Sequence, residues 1–159
     1  MGPYLKNPHR LADILAAIQV LGTYEFAARD LDKWANRLGR KPKSGHAWDV
    51  VFDEHPEFFT KDDTGKYSLI WRRSFNRDYD TITKKEIEKE ERNKLAEEEK
   101  NGHPSRLSRR PLDNGQIEHL CNLAINLHER EIQHRQEMRW WITIVLAIIT
   151  TLISVWAGS

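Results

Sequence analysis

Histidine and cysteine are the side chains of this sequence best suited to hold a metal, and their spacing limits that use. His119, Cys121, His128 and His134 lie on one predicted helix. No two of them are three or four residues apart, the spacing at which one helix face presents two ligands. We therefore predict no metal site within one chain, and a site shared between copies of the chain stays an alternative.

Acid–base chemistry has one candidate group, at His55. This histidine lies close to Glu54 and Glu57, but it directly precedes Pro56 at the end of a predicted helix, where a cap or surface role is more usual. The sequence has no Gly-rich phosphate loop, no Gly-x-Ser-x-Gly elbow and no His-Glu-x-x-His motif. We predict no catalytic residue, no cofactor and no enzymatic activity.

Cations form the clearest charged pattern. They cluster between residues 37 and 46, and two lysines follow near a predicted turn. Clustered cations favour contact with phosphate. The candidate surface for a protein or nucleic-acid partner consists of Arg37, Arg40, Lys41, Lys43, His46, Lys61 and Lys66.

The elements that must position these cations follow from helical spacing and turn residues. Residues 11–21 repeat apolar side chains at three and four positions, which predicts the buried stripe of a first helix. Helices are also predicted over about 30–38 and 44–55. Residues 58–73 contain an Asp-Asp-Thr-Gly turn between two extended stretches, which predicts a β-hairpin.

Three short helices followed by a hairpin is the order of a winged helix-turn-helix. Residues 8–75 resemble that superfamily in element order, in the Gly-Arg-Lys-Pro turn at 39–42, and in aromatic residues placed for a small core. The resemblance implies a small winged-helix-like head in a mainly α chain. It also implies nucleic-acid binding through the third helix and the wing.

The charges of the head favour a protein partner instead. Residues 1–80 contain 13 Lys and Arg against 12 Asp and Glu, without the basic surplus typical of nucleic-acid binding modules. Asp49, Asp53 and Glu54 lie on the third helix, and Asp62 and Asp63 on the wing, where each would repel phosphate. Nucleic-acid binding stays the alternative.

A charged segment and one long helix follow the head. Residues 81–111 predict a helical spacer that starts at a Thr83–Glu86 capping box and ends in a flexible basic linker. Asp113 and Gln116 form a second capping box. It begins a helix of about 44 residues, which runs through 112–139 into 140–157.

Two stretches of this long helix predict self-association. The first has the 3-4-3 apolar spacing of a coiled-coil seam, and the second has small residues on one face, which let helices approach closely. The predicted oligomer interface comprises Ile117, Leu120, Ala124, Leu127, Thr143, Ala147, Thr150 and Ser154. The alternative is that the first stretch packs back on the head.

Residues 140–157 carry no charge, and as a helix they would extend about 27 Å, close to the thickness of a bilayer core. Trp140, Trp141 and Trp156 stand where the two membrane interfaces would lie. This pattern predicts one transmembrane helix with membrane lipid as a partner. The N-terminal part would then be cytoplasmic, with the anchor in a bacterial inner membrane.

The overall composition fits one small polar domain. Of 159 residues, 31% are charged, the formal net charge is +1, and a single cysteine agrees with a reducing compartment. The resulting prediction is a tail-anchored protein whose head binds a cytoplasmic protein partner, as a homo-oligomer. The alternatives are a membrane-bound DNA-binding transcription regulator and an oligomeric membrane-perturbing effector, for instance in bacterial defence.

Overall fold

The computed structural model describes the backbone of residues 2–157 and the side chains of residues 2–150. A 3-10 turn at Pro3–Leu5 comes first. In chain order the helices are α1 Arg10–Thr23, α2 Leu31–Leu38, α3 Trp48–Glu54, α4 Ile70–Arg73, α5 Lys89–Lys100 and α6 Asn114–Ala157. The strands are β1 Ala28–Arg29, β2 Phe59–Lys61, β3 Tyr67–Leu69, β4 Tyr79–Asp80, β5 Lys85–Glu86 and β6 Leu107–Ser108.

The first sheet is antiparallel with strand order β1-β3-β2. The predicted hairpin is present, with Thr60 opposite Ser68. Gly65 takes a φ of 81° in its turn, a conformation that strains other residues. The second strand is shorter than predicted, because the chain turns into α4 at Ile70.

The core of the head is largely aromatic. Trp34, Phe52 and Phe58 are essentially fully buried between the helices and the sheet. Two indole N–H groups are satisfied by backbone oxygens: Trp34 Nε1 donates to Tyr67 O over 2.8 Å, and Trp48 Nε1 donates to Gly39 O over 2.7 Å. These bonds join helix α2 to the sheet and fix the connection between α2 and α3.

A second sheet, with order β5-β4-β6, lies where the sequence predicts a spacer and a flexible linker. Strand β4, at residues 79–80, is the central strand and pairs with β5 and β6, which both follow it in the chain. The predicted domain boundary between residues 80 and 81 therefore falls inside this sheet. Asp80 is fully buried and accepts a 2.7 Å bond from Arg106 Nη2. Burial alone would raise the pKa of Asp80, but its hydrogen bonds with Arg106, Ile82 and Thr83 outweigh that effect and lower it to about 2.

Arg72 of α4 joins three parts of the chain. Its side chain is fully buried and donates to six backbone carbonyl oxygens over 2.5–3.4 Å. Four of these oxygens belong to residues 21–26 and two to residues 109–110. Burial lowers the pKa of Arg72 to about 10. The guanidinium therefore holds the segment that leads into α6 against the end of α1.

Helix α6 spans 44 residues, as predicted, and starts with the predicted capping box. Gln116 N donates to the Asp113 carboxylate over 2.8 Å, and Asp113 N donates to the Gln116 side chain over 3.1 Å. Its first part packs along α1, where a Cβ atom at Gly22 would come within 3.3 Å of Ile117 Cγ1. The helix therefore completes the core of the head.

The predicted transmembrane helix is wrong for the described part of the chain, in which no helix has the length and apolar character needed to cross a bilayer. The uncharged stretch with described side chains runs from Trp140 to Thr150, about 16 Å of helix axis against a hydrocarbon core of about 30 Å. Ser154 and Trp156 lie outside the residues whose side chains are described.

This finding corrects the predictions that depended on the span. The predicted tail anchor and the predicted single-pass location in a bacterial inner membrane are wrong by the same finding. The contact with membrane lipid and the interface role of Trp140 and Trp141 stay predictions. The membrane-bound regulator and the membrane-perturbing effector assumed the same span, but their DNA-binding and membrane-perturbing activities stay predictions.

Candidate functional site

The connection between α2 and α3, residues 39–47, is the basic turn of this molecule, and α1 holds it in place. The buried Asp13 carboxylate accepts from Ser44 N over 2.7 Å and from Lys43 N over 3.2 Å. Arg10, also buried, donates to Ser44 O over 3.4 Å. Gly39 starts the turn with a φ of 95°. The basic turn therefore presents its side chains from a fixed backbone.

The outer side of the basic turn carries cations that the head does not neutralise. Arg40, Lys41, Lys43 and His46 are exposed, and none of them is in an ion pair within the described residues. Arg37 is different, because its guanidinium lies 4.5 Å from the centroid of the Tyr24 ring and donates to the Tyr24 hydroxyl over 3.1 Å. Four of the seven predicted surface residues thus form one free basic patch.

The two wing lysines do not share one surface. Lys61 Nζ lies 5.2 Å from the centroid of the Tyr67 ring. Lys66 instead lines a cleft between the two sheets, together with Arg29 and Arg73. The predicted surface is therefore divided: four of its residues lie on the basic turn, and Lys66 lines the cleft.

Carboxylates occupy the face of α3 next to the wing. Asp53 accepts a 3.0 Å hydrogen bond from the Tyr67 hydroxyl. Burial, this hydrogen bond and the charges of Asp53 and Asp49 raise the pKa of Tyr67 to about 12. Glu54 forms ion pairs with Lys6 at 2.6 Å and Arg10 at 2.9 Å. Glu54 is thereby neutralised, and the negative charge of α3 next to Tyr67 comes from Asp49 and Asp53, which would repel phosphate.

His55, the candidate acid–base residue, is fully buried. Its Nδ1 lies 3.0 Å from Glu57 Oε1, which also accepts from the Tyr4 hydroxyl over 2.8 Å. Burial would raise the pKa of Glu57, but the bonds with His55 and Tyr4 contribute to a net lowering. The group joins the N-terminal 3-10 turn to the end of α3, which is a structural role.

The other possible metal ligands are dispersed along α6. His119 lies edge-on to Trp71, with ring centroids 5.7 Å apart, and His128 lies 6.0 Å from the Tyr4 ring. Cys121 is half-buried, and burial raises the pKa of its thiol. His134 is exposed. Across the described residues, no three His, Cys, Asp or Glu side chains come together as a metal site would require.

The two predicted halves of the oligomer interface have opposite environments. Ile117, Leu120 and Ala124 are buried in the head, and Leu127 packs against the same core. The large apolar side chains after residue 139 are between 45% and 66% exposed: Trp140, Trp141, Ile142, Val145, Leu146, Ile148 and Ile149. Thr143, Ala147 and Thr150 lie on this exposed part of α6.

Sequence reasoning missed the cleft and the arginines that line it. The signal was present in the Trp71-Arg-Arg73 run and in the Arg106–Arg110 stretch, which we interpreted as strand and solvated linker. The pairing of β4 with β6 and the hydrogen bonds from Arg72 to Arg109 O and Arg110 O bring these two stretches together.

No protein-family model, curated protein or solved structure matches this chain. The winged-helix resemblance therefore stays a prediction, and function has to be argued from the surfaces themselves.

Proposed function

We propose that this chain is a non-catalytic binding module that docks an acidic protein surface through the basic turn. The observation that carries the proposal is the set of exposed, unpaired cations Arg40, Lys41 and Lys43, with the exposed His46 beside them, on a backbone that Asp13 fixes. Because its backbone is already fixed, this array of cations loses little conformational entropy when it binds an anionic surface.

The arrangement of elements supports this proposal. Three helices followed by a hairpin is the order of a winged helix, in which the connection before the third helix and the wing face outward. Here that connection is basic, while α3 itself carries Asp49 and Asp53. Because these carboxylates would repel an extended row of phosphates, a local acidic patch on a protein suits the basic turn better than nucleic acid does.

We propose further that the exposed part of α6 associates with the same helix of a second copy. The uncharged stretch of α6 exposes seven large apolar side chains. This is more exposed apolar surface than an isolated helix in water normally retains. The same stretch of a second copy has the same length and carries no charge, so two such helices can pack without repulsion. Thr143 and Thr150 satisfy their hydroxyls on their own helix, donating to Arg139 O and Ala147 O, so a neighbouring helix can pack on them directly.

The docking proposal is tested with a fluorescein-labelled poly-glutamate peptide and a labelled 20-base-pair duplex, each titrated with the full chain at several salt concentrations. We expect the triple variant Arg40→Gln, Lys41→Gln, Lys43→Gln to bind the peptide roughly tenfold more weakly. The control variant Lys89→Gln, Lys94→Gln, Lys100→Gln removes the same charge from exposed positions on α5 and should bind as the wild type does. Tighter binding to the duplex that depends on the basic turn would instead support nucleic-acid recognition and overturn the proposal.

The self-association proposal is tested by sedimentation equilibrium in a mild non-ionic detergent, which suppresses unspecific apolar contacts. We expect the full chain to sediment as an oligomer and the variant Ile142→Glu, Leu146→Glu as a single chain. The control variant Gln133→Glu, Gln136→Glu adds the same charge to exposed polar positions of α6 and should remain oligomeric. A wild-type chain that sediments as a monomer would overturn this part.

A further inference from the structure

A cleft of about 580 Å³ lies between the two sheets. One wall comes from β1 and the start of α2, another from the wing turn, and the third from the end of α4 and strand β6. Its volume is in the range of sites for small molecules. Phe26, Ala27, Ala28 and Leu107 supply an apolar part of the lining.

The charged lining of this cleft is unbalanced. Six cations and three carboxylates line it: Arg29, Lys33, Lys66, Arg73, Arg77, Arg109, Asp30, Asp62 and Glu99. Asp30 pairs with Lys33 at 2.7 Å, and Glu99 pairs with Arg77 at 2.8 Å. The Asp62 carboxylate holds its own turn by accepting from Thr64 N and Lys66 N.

Four of these cations therefore have no ion pair within the described residues: Arg29, Lys66, Arg73 and Arg109. Arg29 lies against aromatic rings, with its guanidinium carbon 4.8 Å from the Tyr24 centroid and 5.8 Å from that of Phe26. Arg73 is exposed and has no hydrogen bond among the described side chains. Arg73 therefore remains available to a ligand, whereas Arg29 is engaged by the aromatic rings.

Arg109 is held in position for such a ligand. Its Nε donates to Phe75 O over 3.0 Å, which fixes the guanidinium and leaves its terminal nitrogens without a hydrogen bond in the described part of the chain. Burial, with the neighbouring charges of Arg73 and Arg77, lowers the pKa of Arg109. The charges of Arg73 and Arg77 thus act on Arg109, and an anion bound between Arg73 and Arg109 would lower this repulsion.

The backbone around Arg109 is also fixed. Arg72 donates to the carbonyl oxygens of Arg109 and Arg110 over 2.5 and 3.1 Å. Ala27 N donates to Ser108 Oγ over 2.9 Å, across the base of the cleft. Such a preformed site loses little conformational entropy when it binds.

We propose that this cleft binds a small organic phosphate, with Arg73 and Arg109 on the phosphate group and the apolar wall at Phe26 against the organic part. The planar guanidinium groups match phosphate oxygens in bidentate geometry. This site lies apart from the basic turn, so it adds a second ligand of a different class to the module.

The test uses ADP and inorganic pyrophosphate as probes, titrated into the full chain by calorimetry. We expect ADP to bind more tightly than pyrophosphate, and Arg73→Gln to weaken ADP binding at least tenfold. Arg40→Gln, which removes an equivalent exposed arginine from the basic turn, should leave ADP binding unchanged.

Backbone amide chemical shifts locate the bound ADP independently of affinity. We expect the largest changes at Ala27, Ala28 and Thr64, which line the cleft. No ADP binding at millimolar concentration, equal affinity for pyrophosphate, or equal loss in Arg73→Gln and Arg40→Gln would each overturn the proposal. Because the basic turn is measured with the poly-glutamate peptide, either proposal can fail while the other holds.

Discussion

Helix α6 contains two halves that both carry an apolar face and have opposite environments. In the docked half, residues 114–131, Leu120 is 6% exposed and Ala124 is 0% exposed. In the exposed half, residues 133–150, Leu146 is 57% exposed. Both halves repeat apolar residues at helical spacing. The comparison shows that such spacing identifies an apolar face without saying what covers it.

The covering surface of the docked half comes from distant parts of the chain. Helix α1 supplies Gly22, whose missing side chain lets Ile117 approach closely. Tyr4 N donates to Glu131 Oε2 over 3.2 Å, at the point where docking ends. After Ile132 the described side chains are exposed, apart from the half-buried Ile144. The change of environment along α6 therefore follows from where the head ends.

We expect Arg72→Ala to have the largest effect on the stability of the head with its docked half of α6. This change removes a buried guanidinium and leaves six carbonyl oxygens without their donor, so we expect the free energy of unfolding to fall by about 3–5 kcal/mol. Urea unfolding followed by tryptophan fluorescence measures the change. Arg73→Ala, at the exposed neighbouring position, is the control and should alter stability by no more than about 0.5 kcal/mol. Equal effects of the two variants would contradict the role given to Arg72.

Two leucine substitutions, one in each half of α6, compare the halves directly and are expected to have a smaller effect. Leu120→Ala leaves a cavity between α6 and α1, and we expect it to lower the free energy of unfolding by about 2–4 kcal/mol. Leu146→Ala should change it by less than about 0.5 kcal/mol. The same urea experiment measures both. If Leu146→Ala were as destabilising as Leu120→Ala, the exposed half would have to be packed within its own chain.

The smallest effect concerns the second sheet, which precedes the docked half. The pKa of Asp80 in the folded chain is about 2, below its value of about 3.9 in an unfolded chain. The carboxylate therefore stabilises the fold above about pH 4, and this stabilisation, on the order of 2 kcal/mol, is lost as the pH falls to about 2. Urea midpoints at pH 7, 4 and 2 measure the loss.

Asp80→Asn should be less stable than the wild type at pH 7 and should lose less stability between pH 4 and 2. Asp63→Asn changes an exposed wing carboxylate and should follow the wild-type pH profile. If Asp80→Asn kept the full wild-type pH dependence, another carboxylate would have to cause it.

Local signals predicted much of the fold. The Asp113–Gln116 capping box, the length of α6 and the Gly65 turn all follow from neighbouring residues, and the structure has each of them. The second sheet did not follow, because two-residue strands such as β4 and β6 leave no periodic pattern.

The arginines were the least predictable part of the site. Arg72, Arg106 and Arg109 have the composition of a solvated surface, yet each is held by backbone oxygens or a carboxylate far away in sequence. Arg40, Lys41 and Lys43 are exposed, as their predicted place on a surface requires, because α1 covers Pro42 and Ser44 of the same turn and leaves these three side chains outside. Whether a cation is exposed without an ion pair therefore depends on contacts with residues that are distant in the sequence.

The docked half of α6 also determines when this molecule is able to fold during its own synthesis. Ile117, Leu120 and Ala124 form a wall of the aromatic core, but the ribosome makes them after every other part of that core. Until they leave the exit tunnel, Leu21 and its neighbours on α1 face water, and the nascent head is open to chaperones. Completion of the head is thus delayed until residues 117–124 are outside the ribosome, so the aromatic core closes only after the second sheet has been made.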